Sequence, residues 1–135
     1  MFETDKESPR VFVVEDEALV AFEMEDVLHE LGFTVVGPSL RLEDAKELAR
    51  REDMDAAFLD VNLGHGNTSQ PVVEILRERG IPYAFVTAYD ASQITFRLSD
   101  DTVLRKPVTS AGMLNTLRSV LPHLEDKGSA QGEQH

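Results

Sequence analysis

Polar side chains follow four short apolar runs of the chain, at the point where each run ends. They are an acidic pair, a lone aspartate, a threonine, and a lysine followed by proline: Glu15-Asp16, Asp60, Thr87 and Lys106-Pro107. In an open parallel sheet the carboxyl ends of the strands share one edge. We therefore expect these groups to meet in one crevice, although they are scattered along the chain.

This set of groups suits phosphoryl transfer to a carboxylate. Asp60 as a nucleophile approaches an anionic phosphoryl group, so the site needs a hard cation, and Mg²⁺ binds a few carboxylates while keeping several waters. Glu15, Asp16 and Asp60 can supply those carboxylates. Thr87 can donate its hydroxyl to one phosphoryl oxygen, and Lys106 can place a compact charge on another. The product is an aspartyl phosphate.

The residues of this set resemble the receiver domain of two-component response regulators, over roughly Arg10–Leu121. The resemblance implies that Asp60 is the phospho-acceptor and that Asp16, helped by Glu15, binds Mg²⁺. It also implies that the backbone carbonyl of Asn62, two residues past the acceptor, coordinates the metal. The expected phosphodonor is a sensor histidine kinase or a histidine phosphotransfer protein. A receiver of this kind acts by contact with a downstream protein, by competing for phosphoryl groups or by passing them to a histidine phosphotransfer protein, and the sequence also allows a homodimer.

Two further motifs extend the resemblance. Thr87 is similar to the hydroxyl residue of the family, and Lys106-Pro107 to its lysine–proline pair, which is usually joined by a cis peptide that proline permits. Pro82–Tyr89 reads Pro-Tyr-Ala-Phe-Val-Thr-Ala-Tyr and is similar to the Pro-Phe-x-Phe-Ala-Thr-Gly-Tyr signature of one receiver subgroup. Members of that subgroup are often stand-alone receivers, so we expect this chain to signal without an attached output domain.

Two departures from the family pattern bear on switching. Many receivers place an aromatic residue three positions before the lysine, where this chain has Val103. Tyr89, two residues past Thr87, is therefore our candidate to act with Thr87 as the switch. The stretch 90–101 is short and polar, so we expect a short or irregular fourth helix.

Apolar runs and helical spacing alternate about five times, which is typical of a parallel sheet with helices on both faces. Together with the resemblance, this predicts an α/β, flavodoxin-like, doubly wound sheet of five strands in the order 2-1-3-4-5. The first helix is expected over about 17–31, and Thr109 or Ser110 is expected to cap the last helix. Gly37-Pro38-Ser39 is expected to break the second strand, and 63–70 is interpreted as a polar loop.

Composition is typical of one small domain. We expect a flexible lead at 1–9, a receiver domain at 10–124 and a disordered tail at 125–135. The net charge of −12, with 13 basic residues among 25 acids, argues against a nucleic-acid surface. No apolar run approaches the roughly 20 residues of a membrane span. With no cysteine in the chain, these features favour a cytoplasmic protein.

Two alternatives remain open at the level of sequence. A phosphatase of the haloacid-dehalogenase type also forms an aspartyl phosphate with Mg²⁺, but it needs a second aspartate two residues after the nucleophile. Asn62 stands there, and an amide cannot donate and recover the proton. The second alternative is a degenerate receiver that acts as an interaction module without phosphorylation. We favour a working receiver, which is not an enzyme beyond its own phosphoryl transfer and slow dephosphorylation.

Overall fold

The computed structural model describes residues 8–98 and 100–121. In chain order the elements are β1 (Arg10–Val14), α1 (Ala18–Glu30), β2 (Thr34–Ser39), α2 (Leu42–Arg51), β3 (Ala56–Asp60), β4 (Asn62–Gly64), β5 (Asn67–Thr68), α3 (Gln70–Arg79), β6 (Tyr83–Thr87), a 3₁₀ helix (Ala91–Gln93), β7 (Thr102–Arg105) and α4 (Ser110–Val120). The main sheet has five parallel strands in the order β2-β1-β3-β6-β7. When only the main-sheet strands are counted, this is the order 2-1-3-4-5, so the predicted flavodoxin-like fold is confirmed.

The central strands carry continuous apolar runs because helices bury both faces of the sheet. Successive side chains of a strand point to opposite faces. Val11 and Val13 accordingly join the core beneath α1 and α4, whereas Phe12 and Val14 join the core beneath α2 and α3. The two cores hold β1 and β3 in the middle of the sheet, and this fixes the positions of the loops that follow them.

The helix ends follow the local signals of the sequence. Helix α1 lies within the expected 17–31, and Gly32 follows it with a φ of +96°, a conformation that favours glycine. At the start of α4 the Thr109 Oγ1 accepts a hydrogen bond of 3.0 Å from the backbone N–H of Gly112. Thr109, rather than Ser110, is therefore the N-cap.

The second strand does not break at Gly37-Pro38, and that expectation is wrong. β2 continues to Ser39, which pairs with Val14 after a shift in register. Gly37 has a φ of +90°, and such an irregularity lets a strand absorb an extra residue without ending. The backbone N–H of Glu15 then donates to the Ser39 carbonyl at 3.0 Å. The longer strand thereby holds the first acidic residue of the candidate site.

The stretch interpreted as a polar loop at 63–70 contains a small antiparallel hairpin, so that interpretation is also wrong. β4 and β5 pair across a two-residue turn formed by His65 and Gly66. Both turn residues have positive φ values, 54° and 77°, which two-residue hairpins favour because the turn then matches the strand twist. The hairpin begins two residues past Asp60 and forms one wall of the site.

The connection between β6 and β7 contains the 3₁₀ helix Ala91–Gln93 and no α-helix within its described residues. The expected short fourth helix is thus confirmed.

Across the described part of the chain, none of the helices is both long enough and apolar enough to cross a bilayer. Ser8 donates its hydroxyl to the Gly32 carbonyl at 2.8 Å. The rest of the expected lead, 1–7, and the expected tail, 125–135, lie outside the described residues, as do 122–124.

Candidate functional site

The four polar groups singled out in the sequence lie at the carboxyl edge of the main sheet. Asp60 is the last residue of β3, and Thr87 is the last residue of β6. Glu15 directly follows β1, and Lys106 directly follows β7. The Lys106 Nζ lies 3.4 Å from the Asp60 Oδ2. Parallel pairing of the strands therefore brings together residues from both ends of the domain.

Three carboxylates form a cluster at this edge. Glu15, Asp16 and Asp60 each present one oxygen, and these oxygens lie within 4.8 Å of one another. The Glu15 side chain is fully buried, and that of Asp60 is 12% exposed. A concentration of carboxylate oxygens in so small a space is unfavourable unless a cation lies among them. Hard oxygen donors are the ligands that Mg²⁺ prefers, so the cluster fits that ion.

Lys106 supplies one positive charge to the cluster. Its Nζ lies 3.1 Å from the Glu15 Oε1 and 3.9 Å from the Glu17 Oε1, in addition to its contact with Asp60. The backbone N–H of Lys106 donates to the Thr87 carbonyl at 2.8 Å. The peptide between Lys106 and Pro107 is cis, as the resemblance implies. Lys106 is thus held by its backbone and by its ammonium group.

The site brings three carboxyl groups, those of Glu15, Asp16 and Asp60, close to a single ammonium group, that of Lys106. Burial raises the pKa of Asp60 to about 8, and the nearby Glu15 adds to the rise while Lys106 opposes it. For Lys106, burial lowers the pKa, but hydrogen bonding and attraction to Glu15 and Asp60 raise it by more, and the net shift is upward. Lys106 therefore remains charged, and the acids remain only partly neutralised by it.

Thr87 connects the acidic cluster to the segment that follows β6. Its side chain is buried, and its Oγ1 accepts a hydrogen bond of 3.0 Å from the backbone N–H of Tyr89. Tyr89 is 56% exposed and is not part of the acidic cluster. Asn62 begins β4 and is also exposed. A cavity of about 350 Å³ lies between the hairpin and the segment, and Thr87, Tyr89, Asn62 and Phe96 are among its lining residues.

Two residues near the cluster were not recognised in the sequence. Gly64 lies close to Asp16: a Cβ at Gly64 would lie 3.3 Å from the Asp16 Oδ2. Its φ of +81° also favours glycine. Glu17 approaches Lys106, and its backbone N–H donates to the Glu15 Oε2 at 3.1 Å. A glycine four residues past the acceptor and a third consecutive acid were visible in the sequence, but their roles depend on the folded positions of the hairpin and of Lys106.

The fold and this site together define the receiver class: a five-stranded parallel α/β domain with an acidic cluster, a threonine and a lysine at one edge of the sheet. Residues 11–118 match the family model of the response regulator receiver domain. The chain therefore belongs to that family, whose members are signalling domains of two-component systems. Receiver domains are not classical enzymes. The match does not separate subgroups of the family.

Known proteins similar to the chain include longer proteins and proteins of similar length. The transcriptional regulatory protein PdtaR of Mycobacterium tuberculosis is 25% identical over 127 residues, which are 92% of this chain and 62% of PdtaR. The crystal structure of the response regulator PhyR from Brucella abortus is 27% identical with a TM-score of 0.76, over 95% of this chain and 54% of PhyR. The chain thus spans less than two thirds of either protein.

A structure of similar length is that of SdrG from Sphingomonas melonis Fr1. It is 38% identical with a TM-score of 0.74, and the match covers 84% of this chain and 97% of SdrG. SdrG from Pseudomonas melonis Fr1 has also been solved in a BeF3-activated conformation, which is 38% identical with a TM-score of 0.71 over 83% of this chain and 95% of that one.

Proposed function

We propose that Asp60 accepts a phosphoryl group from the phosphohistidine of a sensor histidine kinase or histidine phosphotransfer protein. One carboxylate oxygen of Asp60 forms the new P–O bond, the P–N bond of the donor breaks, and its electron pair stays with the imidazole. The observation that carries the proposal is the position of Asp60, with Glu15 and Asp16 beside it and the Lys106 ammonium 3.4 Å away.

We assign Mg²⁺ binding to the carboxylates of Glu15, Asp16 and Asp60, with the backbone carbonyl of Asn62 as a further ligand. When bound, Mg²⁺ neutralises charge on the acids and on the transferring phosphoryl oxygens. Lys106, whose ammonium lies 3.4 Å from the Asp60 Oδ2, would place a second positive charge on those oxygens. Glu15 keeps the ammonium group in position through its own 3.1 Å contact.

Signalling then begins at Thr87. A hydroxyl can accept one hydrogen bond and donate another, so Thr87 can keep its bond from the Tyr89 N–H while donating its proton to a phosphoryl oxygen on Asp60. Movement of the hydroxyl towards Asp60 pulls on the backbone of Tyr89. We therefore propose Thr87 and Tyr89 as the switch, and altered contacts with a downstream protein as the output. The motif Pro82–Tyr89 supports placing the chain in the Pro-Phe-x-Phe-Ala-Thr-Gly-Tyr subgroup.

The test is intact-mass analysis after incubation with Mg²⁺ and acetyl phosphate. We expect one phosphoryl group on the wild-type protein and none on Asp60→Asn. Asp53→Asn is the matched control, because Asp53 is exposed and precedes the opposite end of β3. This control should gain the phosphoryl group as the wild type does. An adduct on Asp60→Asn would show that another residue is the acceptor.

The remaining outcomes separate the alternatives. Beryllofluoride mimics an aspartyl phosphate, and the BeF3-activated conformation of SdrG supports its use with a receiver of this kind. If the wild type forms neither an adduct nor a beryllofluoride complex, the domain is an interaction module that works without phosphorylation. If inorganic phosphate is released over many turnovers and no adduct is retained, the chain is a phosphatase.

A further inference from the structure

The segment after β6 has to satisfy its backbone groups without an α-helix. We call residues 88–93 its front part and residues 94–98 its rear part. Buried backbone N–H and C=O groups need partners, which a helix supplies internally and an irregular segment does not. The front part contains the 3₁₀ helix. The rear part depends on side chains that come from α3, β6 and the residue before β7.

Asp101 is the centre of this support. Its carboxylate accepts a hydrogen bond from the Tyr83 hydroxyl at 3.0 Å, from the Arg77 Nη2 at 3.2 Å, and from the backbone N–H of Leu98 at 2.9 Å. The Asp101 side chain is 11% exposed. A partly buried carboxylate with three donors is held in one geometry, and so is the Leu98 backbone that it binds.

Arg77 extends the support to Phe96. Its Nη2 donates to the Phe96 carbonyl at 3.0 Å, and its Nε donates to the Tyr83 hydroxyl at 2.8 Å. The Phe96 ring packs edge-to-face on Phe85, with ring centroids 5.5 Å apart. Ile94 is buried in the same core. The rear part is therefore held to the rest of the domain by hydrogen bonds to its backbone and by the packing of its side chains.

The front part has weaker contacts. Arg105 donates to the Ala88 carbonyl at 3.3 Å and forms an ion pair of 3.4 Å with Asp90. Both members of that pair are more than half exposed, and exposed pairs contribute little because water screens them. The Tyr89 side chain also lies mostly in solvent. Apart from the bond of the Tyr89 N–H to Thr87, which moves with that hydroxyl, the contacts of the front part are exposed, so the front part can move at little cost.

We propose that Arg77, Tyr83 and Asp101 are positioning residues that hold residues 94–98 in place and so confine the phosphorylation-dependent change to residues 88–93. This inference rests on the proposed function, because it describes how far the movement of Thr87 spreads. Phe96, whose carbonyl accepts the hydrogen bond from Arg77, lines the cavity beside Thr87. The surface that reports phosphorylation is then the short stretch around Tyr89, and residues 94–98 behind it stay fixed.

Tyr83 makes the proposal specific to this chain. The subgroup signature has phenylalanine where Tyr83 stands, and phenylalanine lacks the hydroxyl that joins Arg77 to Asp101. Burial raises the pKa of Tyr83, and Asp101 adds to the rise while Arg77 opposes it. The hydroxyl is therefore protonated at neutral pH and donates to Asp101. Tyr83→Phe removes this bridging hydroxyl, leaves the direct 3.2 Å contact between Arg77 and Asp101, and keeps the ring that packs on Phe85.

The experiment is residue-resolved hydrogen exchange of the full chain, with and without Mg²⁺ and beryllofluoride. In the wild type we expect beryllofluoride to change exchange in the front part and to leave the rear part unchanged. In Tyr83→Phe we expect the protection of the rear part to fall about tenfold before any addition, and the beryllofluoride effect to spread into it. Asp101→Asn is the second variant, and it should act in the same direction.

The matched control is Arg79→Gln. Arg79 lies on the same helix as Arg77 and also binds backbone carbonyls, but those of Ala49 and Glu52 at the end of α2. The Arg79→Gln variant should have a lower free energy of unfolding, but its beryllofluoride effect should not extend into residues 94–98. A wild-type response that reaches residues 94–98, or unchanged protection there in both Tyr83→Phe and Asp101→Asn, overturns the inference. A wild type that neither responds to beryllofluoride nor gains a phosphoryl group contradicts the proposed function instead, and protection in the untreated variants still decides whether Arg77, Tyr83 and Asp101 hold the rear part.

Discussion

Replacing Asp60 by asparagine should make the metal-free protein more stable. In the folded state Asp60 is mostly buried and lies beside Glu15, and these two causes raise its pKa from 3.8 to about 8. In the unfolded chain the carboxyl ionises normally. An asparagine of nearly the same shape removes the ionisation. Lys106 loses one partner but keeps Glu15 at 3.1 Å.

The sign and the pH window follow from proton linkage. Between about pH 4 and pH 8 the folded wild type holds a proton on Asp60 that the unfolded chain has released, so its free energy of unfolding falls as pH rises. Each pKa unit corresponds to about 1.4 kcal/mol, and the full shift sets an upper limit of about 5 to 6 kcal/mol above pH 8. The site opens to solvent at the sheet edge, so screening reduces this to about 2 to 3 kcal/mol near neutral pH.

The assay is thermal or denaturant unfolding in EDTA from about pH 5 to about pH 9. Asp60→Asn should melt about 10 °C above the wild type near neutral pH, with a gap that grows with pH. Saturating Mg²⁺ should narrow the gap, since it binds the folded wild type and stabilises it by mass action. Asp53→Asn should melt with the wild type. If Asp60→Asn is no more stable than the wild type in EDTA at any pH in this range, the buried acids are not in electrostatic conflict and our account of the site is wrong.

Three further predictions concern the neighbours of Asp60. Gly64→Ala should weaken Mg²⁺ binding about tenfold, because the new methyl group crowds the Asp16 carboxylate and the backbone has a positive φ. Titration calorimetry measures the Mg²⁺ affinity, and an unchanged affinity would exclude Gly64 from shaping the site. Thr87→Ala should keep phosphoryl acceptance by intact mass yet lose the beryllofluoride-induced change at Tyr89 seen by NMR, whereas equal loss of both would contradict the separate roles of Thr87 and Asp60. Lys106→Gln should slow acceptance from acetyl phosphate about 10²-fold or more, as loss of a transition-state donor does, and a normal rate would remove the lysine from the transfer step.

The sequence by itself determined the sheet and the groups at its edge. Continuous apolar runs such as 11–14, ended by a polar residue after a few positions, favour strands covered on both faces, and this property is local to the run. A polar residue after such a run lies at the carboxyl edge whatever its partners are. Asp60, Thr87 and Lys106 were therefore placed correctly from the pattern of the chain.

Local signals failed where backbone conformation depended on pairing. Gly37-Pro38 usually ends a strand, but pairing with β1 carries β2 through to Ser39. The glycine-rich stretch after Asp60 forms a hairpin because His65 and Gly66 both adopt positive φ. In each case the sequence allows more than one conformation, and contacts with neighbouring strands select among them.

Only the tertiary structure decided how charges meet. Arg77, Tyr83 and Asp101 come from a helix, a strand and a loop, and nothing in their spacing indicates that they share hydrogen bonds. The raised pKa of Asp60 likewise depends on burial and on Glu15, which lies forty-five positions earlier in the chain. Hydrophobic periodicity is a property of neighbours along the chain, whereas electrostatic energy depends on distances through space, and those distances exist only after folding.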